Sequence, residues 1–271
     1  MKYLQNLHTH TTYCDGADTP EQMIVAALEK GFDSIGFSEH SYAPYSLIGG
    51  MSPPKTEQYK NEIRKLADQY KDRIEIFCGL EFDMFSPIDL NGYDFLIGSV
   101  HYLECGGVLV GFNRSAEAVQ KIIDEHFCGD GMRYVRAYYE ALAELPKYGS
   151  FDMIGHFDLI TKHSEKITFF DETSKEYRNY ALQAAESLKG KIPLFEVNTG
   201  AMARGNRTTP YPSVFLLKEL KQMGYGVCIT SDCHDARMLD CGFDDAEELL
   251  KSCGYTEKYI LTGQGFIPVA L

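Results

Sequence analysis

Tryptophan is missing from this 271-residue chain, and basic residues are scarce: 26 Lys and Arg stand against 39 Asp and Glu, a formal net charge of −13. That deficit argues against a surface for long nucleic acid, because such binding is driven by Lys and Arg neutralising backbone phosphates. No Cys-x-x-Cys pair occurs among Cys14, Cys78, Cys105, Cys128, Cys228, Cys233, Cys241 and Cys253, which read as reduced thiols of a cytosolic protein. Cys233 lies between Asp232 and His234, and strand alternation points it away from both, toward a structural role. No apolar signal core appears in MKYLQNLHTHT, and no segment approaches the length of a membrane span, so a cytoplasmic protein with no membrane partner is expected. No Gly-rich dinucleotide fingerprint follows the first strand candidate, and Gly49-Gly50 and Gly106-Gly107 read as ordinary loops. Without a linker, a low-complexity run or a strict repeat, residues 1–271 are expected to form a single domain.

The apolar share is 44%, and 18 Tyr and 16 Phe supply the bulk that Trp does not, enough for a substantial core. Short β-rich runs alternate with helical patterns along the chain. Strands are predicted at Tyr3–His8, Ser34–Ser38, Arg73–Leu80, Asp94–Val100, Phe151–Ile154, Pro193–Val197 and Gly226–Thr230, with a weak eighth at Tyr259–Leu261. Helices are predicted at Pro20–Lys30, Thr56–Tyr70, Ala116–His126, Met132–Tyr148, Thr173–Leu188, Ser213–Met223 and Ala246–Cys253. Thr19 is the expected N-cap of the first, with Pro20 at its first position and Gly31 past its end. This βαβα order implies an α/β fold with a mostly parallel sheet, closed into a barrel or left open and doubly wound.

On that map, six of the eight histidines and several carboxylates fall at the carboxyl ends of predicted strands. His8 and His10 close the first, with Asp15 in its loop; Glu39 and His40 end the second, Glu81 the third, His101 the fourth and His156 the fifth. Asn198 and Thr199 end the sixth, and Asp232 and His234 the seventh. In a parallel α/β barrel those ends share one face, where active sites sit. Residues two apart on extended chain face the same side, so His8-Thr9-His10 presents two imidazoles and Asp232-Cys233-His234 a carboxylate and an imidazole. Each short motif alone is commonplace; their joint placement on one face is the signal. His8, His10, Asp15, His40, Glu81, His101, His156, Asp232 and His234 exceed the ligand set of a single catalytic zinc and suit two or three divalent ions with a bridging carboxylate. Nitrogen and oxygen donors without thiolate point to zinc, manganese or iron. Such a site attracts a phosphate dianion despite the acidic chain around it. His126, in or at the end of a helix, and His163, in a polar stretch, are expected to be surface or packing residues.

Read together, NLHTHTTYCDG, GFSEHS, CGLEFD, GSVHYL, MIGHFD and TSDCH resemble the polymerase and histidinol phosphatase (PHP) family over nearly the whole chain. The resemblance implies a distorted (β/α)7 TIM-like barrel with a trinuclear metal site at its carboxyl face. It assigns His8, His10, Glu81 and Asp232 to one ion, and His101 and His156 to a second that Glu81 bridges. Asp15, His40 and His234 take the third. GSVHYL, GHFDLI and EVNTG look most like the family's histidinol-phosphate phosphatases of histidine biosynthesis. The implied substrate is a small phosphate ester, L-histidinol phosphate, and Arg204, Arg207, Lys162 and Asn198 are candidates for binding it. Guanidinium groups fork onto phosphate oxygens, although surface arginines solvating a loop give the same pattern.

The mechanism expected is hydrolysis by a metal-bridging hydroxide, with Glu81, Asp232 and His234 at the catalytic centre. No Ser or Cys nucleophile motif competes, and no residue announces itself as proton donor to the leaving group. Two rivals stand beside this reading. One is a phosphoesterase of the same fold acting on a nucleotide or other small phosphoester; the other is a non-enzymatic metal-binding relative, whose mark would be missing ligands.

Overall fold

Short apolar runs recur along the chain, and seven of them pair side by side, because a parallel sheet covered by helices buries both faces of each strand. A computed structural model describes residues 3–46 and 50–271, so Gly49 of the Gly49-Gly50 pair lies outside the described residues. Its strands are β1 (Gln5–Asn6), β2 (Ser34–Phe37), β3 (Glu75–Asp83), β4 (Phe95–Ser99), β5 (Tyr102–Cys105), β6 (Val108–Gly111), β7 (Met153–Ile154), β8 (Leu194–Asn198), β9 (Gly226–Thr230), β10 (Glu257–Thr262) and β11 (Gly265–Ala270). The main sheet runs β1-β2-β3-β4-β7-β8-β9, and every neighbouring pair in it is parallel. Its two edges meet where His10 N donates to Cys233 O at 2.9 Å and Cys233 N to His8 O at 3.2 Å. The result is a nearly closed seven-stranded barrel wrapped by helices.

The helices are α1 (Pro20–Glu29), α2 (Pro53–Tyr70), α3 (Ala116–His126), α4 (Gly131–Glu144), α5 (Lys175–Leu188), α6 (Gly200–Ala203), α7 (Val214–Met223) and α8 (Phe243–Ser252). Thr19 caps α1 in a reciprocal box with Gln22, and Pro20 occupies its first turn. Pro146 explains why α4 gives way to a short 3-10 turn at Leu145–Lys147 instead of running on to Tyr148.

Two apolar clusters divide the interior. The larger lies between sheet and helices, where Tyr134, Tyr138, Tyr139 and Tyr177 are fully buried. The smaller fills the barrel itself with Leu7, Phe77, Phe95, Ile97, Met153, Leu194, Cys228 and Leu261. Gly79 makes room for its central ring, since a Cβ there would stand 2.3 Å from Phe95 Cζ. Above this plug, the same inward positions turn polar: Glu81 and Asp83 follow Phe77 and Gly79 on β3, and Glu196 and Asn198 follow Leu194 on β8. Barrel rigidity is thereby delivered to the site.

Two hairpins lie outside the seven-strand pattern. The predicted eighth strand belongs to the antiparallel β10–β11 hairpin, which closes the barrel floor through Gln5 Nε2 to Leu261 O (2.8 Å) and Leu261 N to Gln5 Oε1 (2.7 Å). The β5–β6 hairpin follows β4, and its two-residue turn is Gly106-Gly107, with φ of 61° and 83°. Positive φ at both central residues is what a hairpin turn of this type demands. Residues 102–114 thus form a wall beside the upper mouth of the barrel.

Candidate metal centre

The carboxyl ends of the strands bring all nine predicted ligands to one place. Glu81 stands at the centre. Its Oε2 lies 3.4 Å from His8 Nε2, 3.6 Å from His10 Nε2 and 2.7 Å from His40 Nδ1. Its Oε1 lies 3.4 Å from His101 Nε2 and 2.9 Å from His156 Nε2, and those two nitrogens are 3.2 Å apart. Asp232 Oδ1 faces His8 and His10 at 3.7 and 3.3 Å, while Asp15 Oδ1 faces His40 and His234 at 3.7 and 3.3 Å. Two imidazole nitrogens at 3.2 Å and a carboxylate oxygen beside them are the spacing of ligands around a small cation. Bonds of 2.0–2.1 Å in tetrahedral array put donor atoms roughly 3.3 Å apart. His8 Nε2 and His10 Nε2 are buried and have no hydrogen-bond partner among the described residues. The donor set fits metal ions, which His/Asp/Glu groups of this kind hold.

Local backbone explains the convergence. The β1 ladder stops at Asn6, whose side chain donates to Ser231 Oγ (2.6 Å) and Leu239 O (3.0 Å) and accepts from His8 N (3.1 Å). Strict alternation is lost there, so Leu7 joins the barrel plug while the next residue, His8, enters the site. Asp232 adopts φ 45°, a left-handed conformation that a non-glycine residue keeps only where its surroundings enforce it. Cys233 is buried in the outer core, and its backbone forms the barrel seam with Thr9.

Several partners of these ligands escaped sequence reasoning. Glu196, wholly buried on β8, accepts from His8 Nδ1 at 2.7 Å, Thr230 Oγ1 at 2.8 Å and Asn198 Nδ2 at 2.8 Å, and from the His156 backbone N–H. With the His8 proton held on Nδ1, Nε2 faces the cluster as a free donor. Asp83 plays a similar part for His101, 3.2 Å from its Nδ1, and accepts from Tyr45 at 2.8 Å. Glu39 accepts from Thr11 N and Cys14 Sγ, so this half of the Glu-His pair shapes the His-x-His loop while His40 faces the cluster. A carboxylate inside an apolar strand, as in LFEVN, was the available signal for Glu196.

Charge is sharply partitioned. Burial favours the neutral forms of Glu81 and Asp232, yet the histidines around Glu81, and Arg204 with His8 beside Asp232, hold both carboxyls well below the usual range. Burial also opposes charge on His8 and His40. The carboxylates of Glu196 and Glu81 override it, raising His8 well above the ordinary value and His40 to about 9. Burial, with His234 and His40 alongside, drives His10 down to about 3. A metal-free site therefore holds His8 and His40 protonated among the carboxylates, with His10 neutral, and an arriving cation displaces those protons.

A cavity of about 360 Å3 opens onto this cluster, lined also by Tyr102, Asn113, Arg114, Lys162 and Arg204. Arg204 donates to Asp232 O at 2.8 Å and to Asp232 Oδ2 at 2.9 Å. Lys162 Nζ donates to Asn113 O (2.9 Å) and Oδ1 (2.8 Å). The two other substrate candidates are not on the cavity wall. Arg207 is buried, donating to Thr161 O at 3.0 Å and Thr209 O at 3.3 Å, with its guanidinium over the Tyr211 ring. Asn198 is buried too, committed to Glu196 and to the Gly200 N–H. Arg114, on the unpredicted hairpin wall, reaches the cavity instead. His163 is buried packing, and His126 ends α3 exposed. No described helix is long and apolar enough to cross a membrane.

Known proteins resemble this chain in sequence and in fold. A histidinol-phosphatase of Lactococcus lactis is 26% identical over 276 residues, covering 97% of this chain and 96% of its own. One from Bacillus subtilis is 25% identical over 253 residues, covering 84% and 92%. A solved histidinol phosphate phosphatase from Lactococcus lactis, complexed with zinc, L-histidinol and phosphate, shares the fold with a TM-score of 0.71 at 23% identity, covering 97% of this chain and 98% of its own. The PHP domain model matches residues 6–200, which take in the first six barrel strands and seven of the nine clustered ligands; Asp232 and His234 lie beyond it, carried in by the barrel seam. By that match, over well more than half its length, the chain belongs to the PHP domain family.

Proposed function

We propose that this protein hydrolyses L-histidinol phosphate to L-histidinol and phosphate, with two or three divalent ions (zinc, manganese or iron) in the cluster around Glu81. The observation that carries the metal reading is the fork of Glu81. One oxygen faces His8, His10 and His40, the other His101 and His156, an arrangement in which the carboxylate could serve two ions. His8, His10 and Asp232 would complete one ion's shell; His101 and His156 would hold the second; Asp15, His40 and His234 would hold a third. The substrate reading is supported by the relatives' names and by a cavity suited to a small monoester.

Bound there, divalent ions supply an acidified water and draw off the charge of the phosphoryl oxygens. The chain's own residues do the rest. Arg204, fixed on Asp232, presents a guanidinium edge at the cavity wall, and Arg114 adds a second cation from the hairpin side. Asp83 and Glu196 hold the rings of His101 and His8 in register, and the apolar plug below excludes water from the barrel. The acidic balance of the chain speaks against long nucleic acid as substrate. The test is phosphate release by zinc- or manganese-loaded protein from L-histidinol phosphate beside a nucleoside monophosphate. A dominant kcat/KM for the former is expected, and preference for the nucleotide would move the substrate assignment.

A further inference from the structure

Hydrolysis of an alkyl phosphate expels an alkoxide, a poor leaving group that needs a proton as it departs. Titratable groups on the cavity wall outside the nine clustered ligands are few. Arg204 stays charged and is committed to Asp232. Asp83 accepts from the His101 N–H and from Tyr45, and Tyr102 donates its hydroxyl to Ser46 Oγ at 2.6 Å. Lys162 differs from all of these. Two Asn113 oxygens fix its Nζ, and no carboxylate among the described residues lies within ion-pairing distance. An ammonium bound to two neutral oxygens keeps one N–H free and has no ion pair to hold its charge.

We infer that Lys162 is the proton donor to the departing alcohol oxygen, a step that rests on the phosphatase reading above. As water oxygen bonds to phosphorus, the bond from phosphorus to the alcohol oxygen breaks and its electron pair stays on that oxygen. The oxygen takes a proton from Lys162 Nζ, leaving alcohol, phosphate and a neutral amine that solvent reprotonates. Around Nζ stand the charged Arg204 from the loop after β8, Asp232 after β9 and Arg114 from the hairpin wall, and the titratable His163 next in the chain, whose pKa burial lowers. Burial, and then Arg204, lower the Lys162 pKa to about 8, against the opposing pull of Asp232. It is thus charged at neutral pH and close to its working pH as an acid. The link to Asn113 also ties the donor to the β5–β6 wall, so the wall positions the proton.

The test compares two esters: L-histidinol phosphate, whose alkoxide needs a proton, and p-nitrophenyl phosphate, whose nitrophenolate leaves without one. For the metal-loaded Lys162→Arg enzyme, kcat on the alkyl ester should fall on the order of 10²-fold or more. On the aryl ester the loss should stay within roughly tenfold, since a positive charge remains. Equal losses on both would overturn the inference and make Lys162 a phosphate anchor; unchanged turnover of the alkyl ester would overturn it too. Wild-type enzyme gives an independent check without any variant. Its kcat on the alkyl ester should decline as pH rises through about 8 while the aryl ester shows no such limb. A shared limb would count against a proton donor. If wild type fails on L-histidinol phosphate but cleaves the aryl ester, only the substrate reading falls, and glycerol 2-phosphate serves as the alkyl ester in the same comparison.

Discussion

Replacing Glu196 by Gln should weaken metal binding without touching a single ligand. The carboxylate meets two kinds of neighbour. Its Oε1 accepts from the His156 backbone N–H and from Asn198 Nδ2, so the amide oxygen of a glutamine must take that position. The amide NH2 then falls where Oε2 now accepts from His8 Nδ1 at 2.7 Å and Thr230 Oγ1 at 2.8 Å. The threonine hydroxyl can rotate and accept, but His8 Nδ1 can accept only if its proton moves to Nε2. That is the nitrogen aimed at Glu81 and Asp232, 3.4 and 3.7 Å away, and a protonated nitrogen has no lone pair for a cation. Losing such a supporting carboxylate costs roughly 10- to 100-fold in metal affinity, or about 1.4–2.8 kcal/mol. Competition between the metal-stripped protein and a chromophoric zinc chelator measures the change. Phosphatase activity should return as zinc is raised to saturation. An unchanged zinc affinity in a folded Glu196→Gln protein would refute the tautomer reasoning.

Arg204→Ala should lower kcat/KM by about 10²-fold, as when a donor to transition-state charge is removed. Arg207→Ala should leave kcat/KM near wild type but reduce stability to urea by about 1–3 kcal/mol, because its Thr161 and Thr209 acceptors are stranded. Metal-stripped protein should melt at progressively lower temperature from pH 6.5 upward. The His40 pKa is raised to about 9, so the stability its charge gives is full below the ordinary 6.5 and lost as pH rises through about 9. Saturating zinc should flatten that profile, and a profile already flat without metal would contradict the assigned charge. Phe95→Ala should cost about 3–5 kcal/mol in urea unfolding, since the ring is the centre of the barrel plug and glycine neighbours cannot fill the void.

Seven predicted strands correspond to the seven barrel strands because a strand buried on both faces must be a short apolar run, and such runs stand out. Their ends were harder to read. Arg73–Leu80 stops where apolar character stops, but β3 continues to Asp83, so Glu81 lies within the strand and not past it. Tyr3–His8 was too long, because Asn6 spends its side chain on Ser231 and Leu239 and breaks the ladder. The β5–β6 hairpin went unseen although Gly106-Gly107 between alternating residues is a hairpin signature; reading the pair as a loop also concealed Arg114 on the cavity wall. Arg207 drew attention by its charge, yet charge alone does not say whether a guanidinium meets a ligand or two threonines. Glu196 and Asp83 act through contacts far apart in sequence, which no local pattern reports.

The seam between Thr9 and Cys233 places His8 and His10 beside Asp232 and His234, the two ends of the ligand set in chain order. A ribosome must therefore translate past residue 234 before the shell proposed for the first ion could be complete. Until then two imidazoles wait on an unclosed edge, able to catch a cation only loosely. Once β9 docks, an ion held as proposed would tie together residues more than two hundred positions apart, shortening a loop whose closure is entropically costly. Metal uptake should thus reinforce a closure that the backbone seam already makes. Without the ion, the seam would lose that tie and keep its backbone hydrogen bonds.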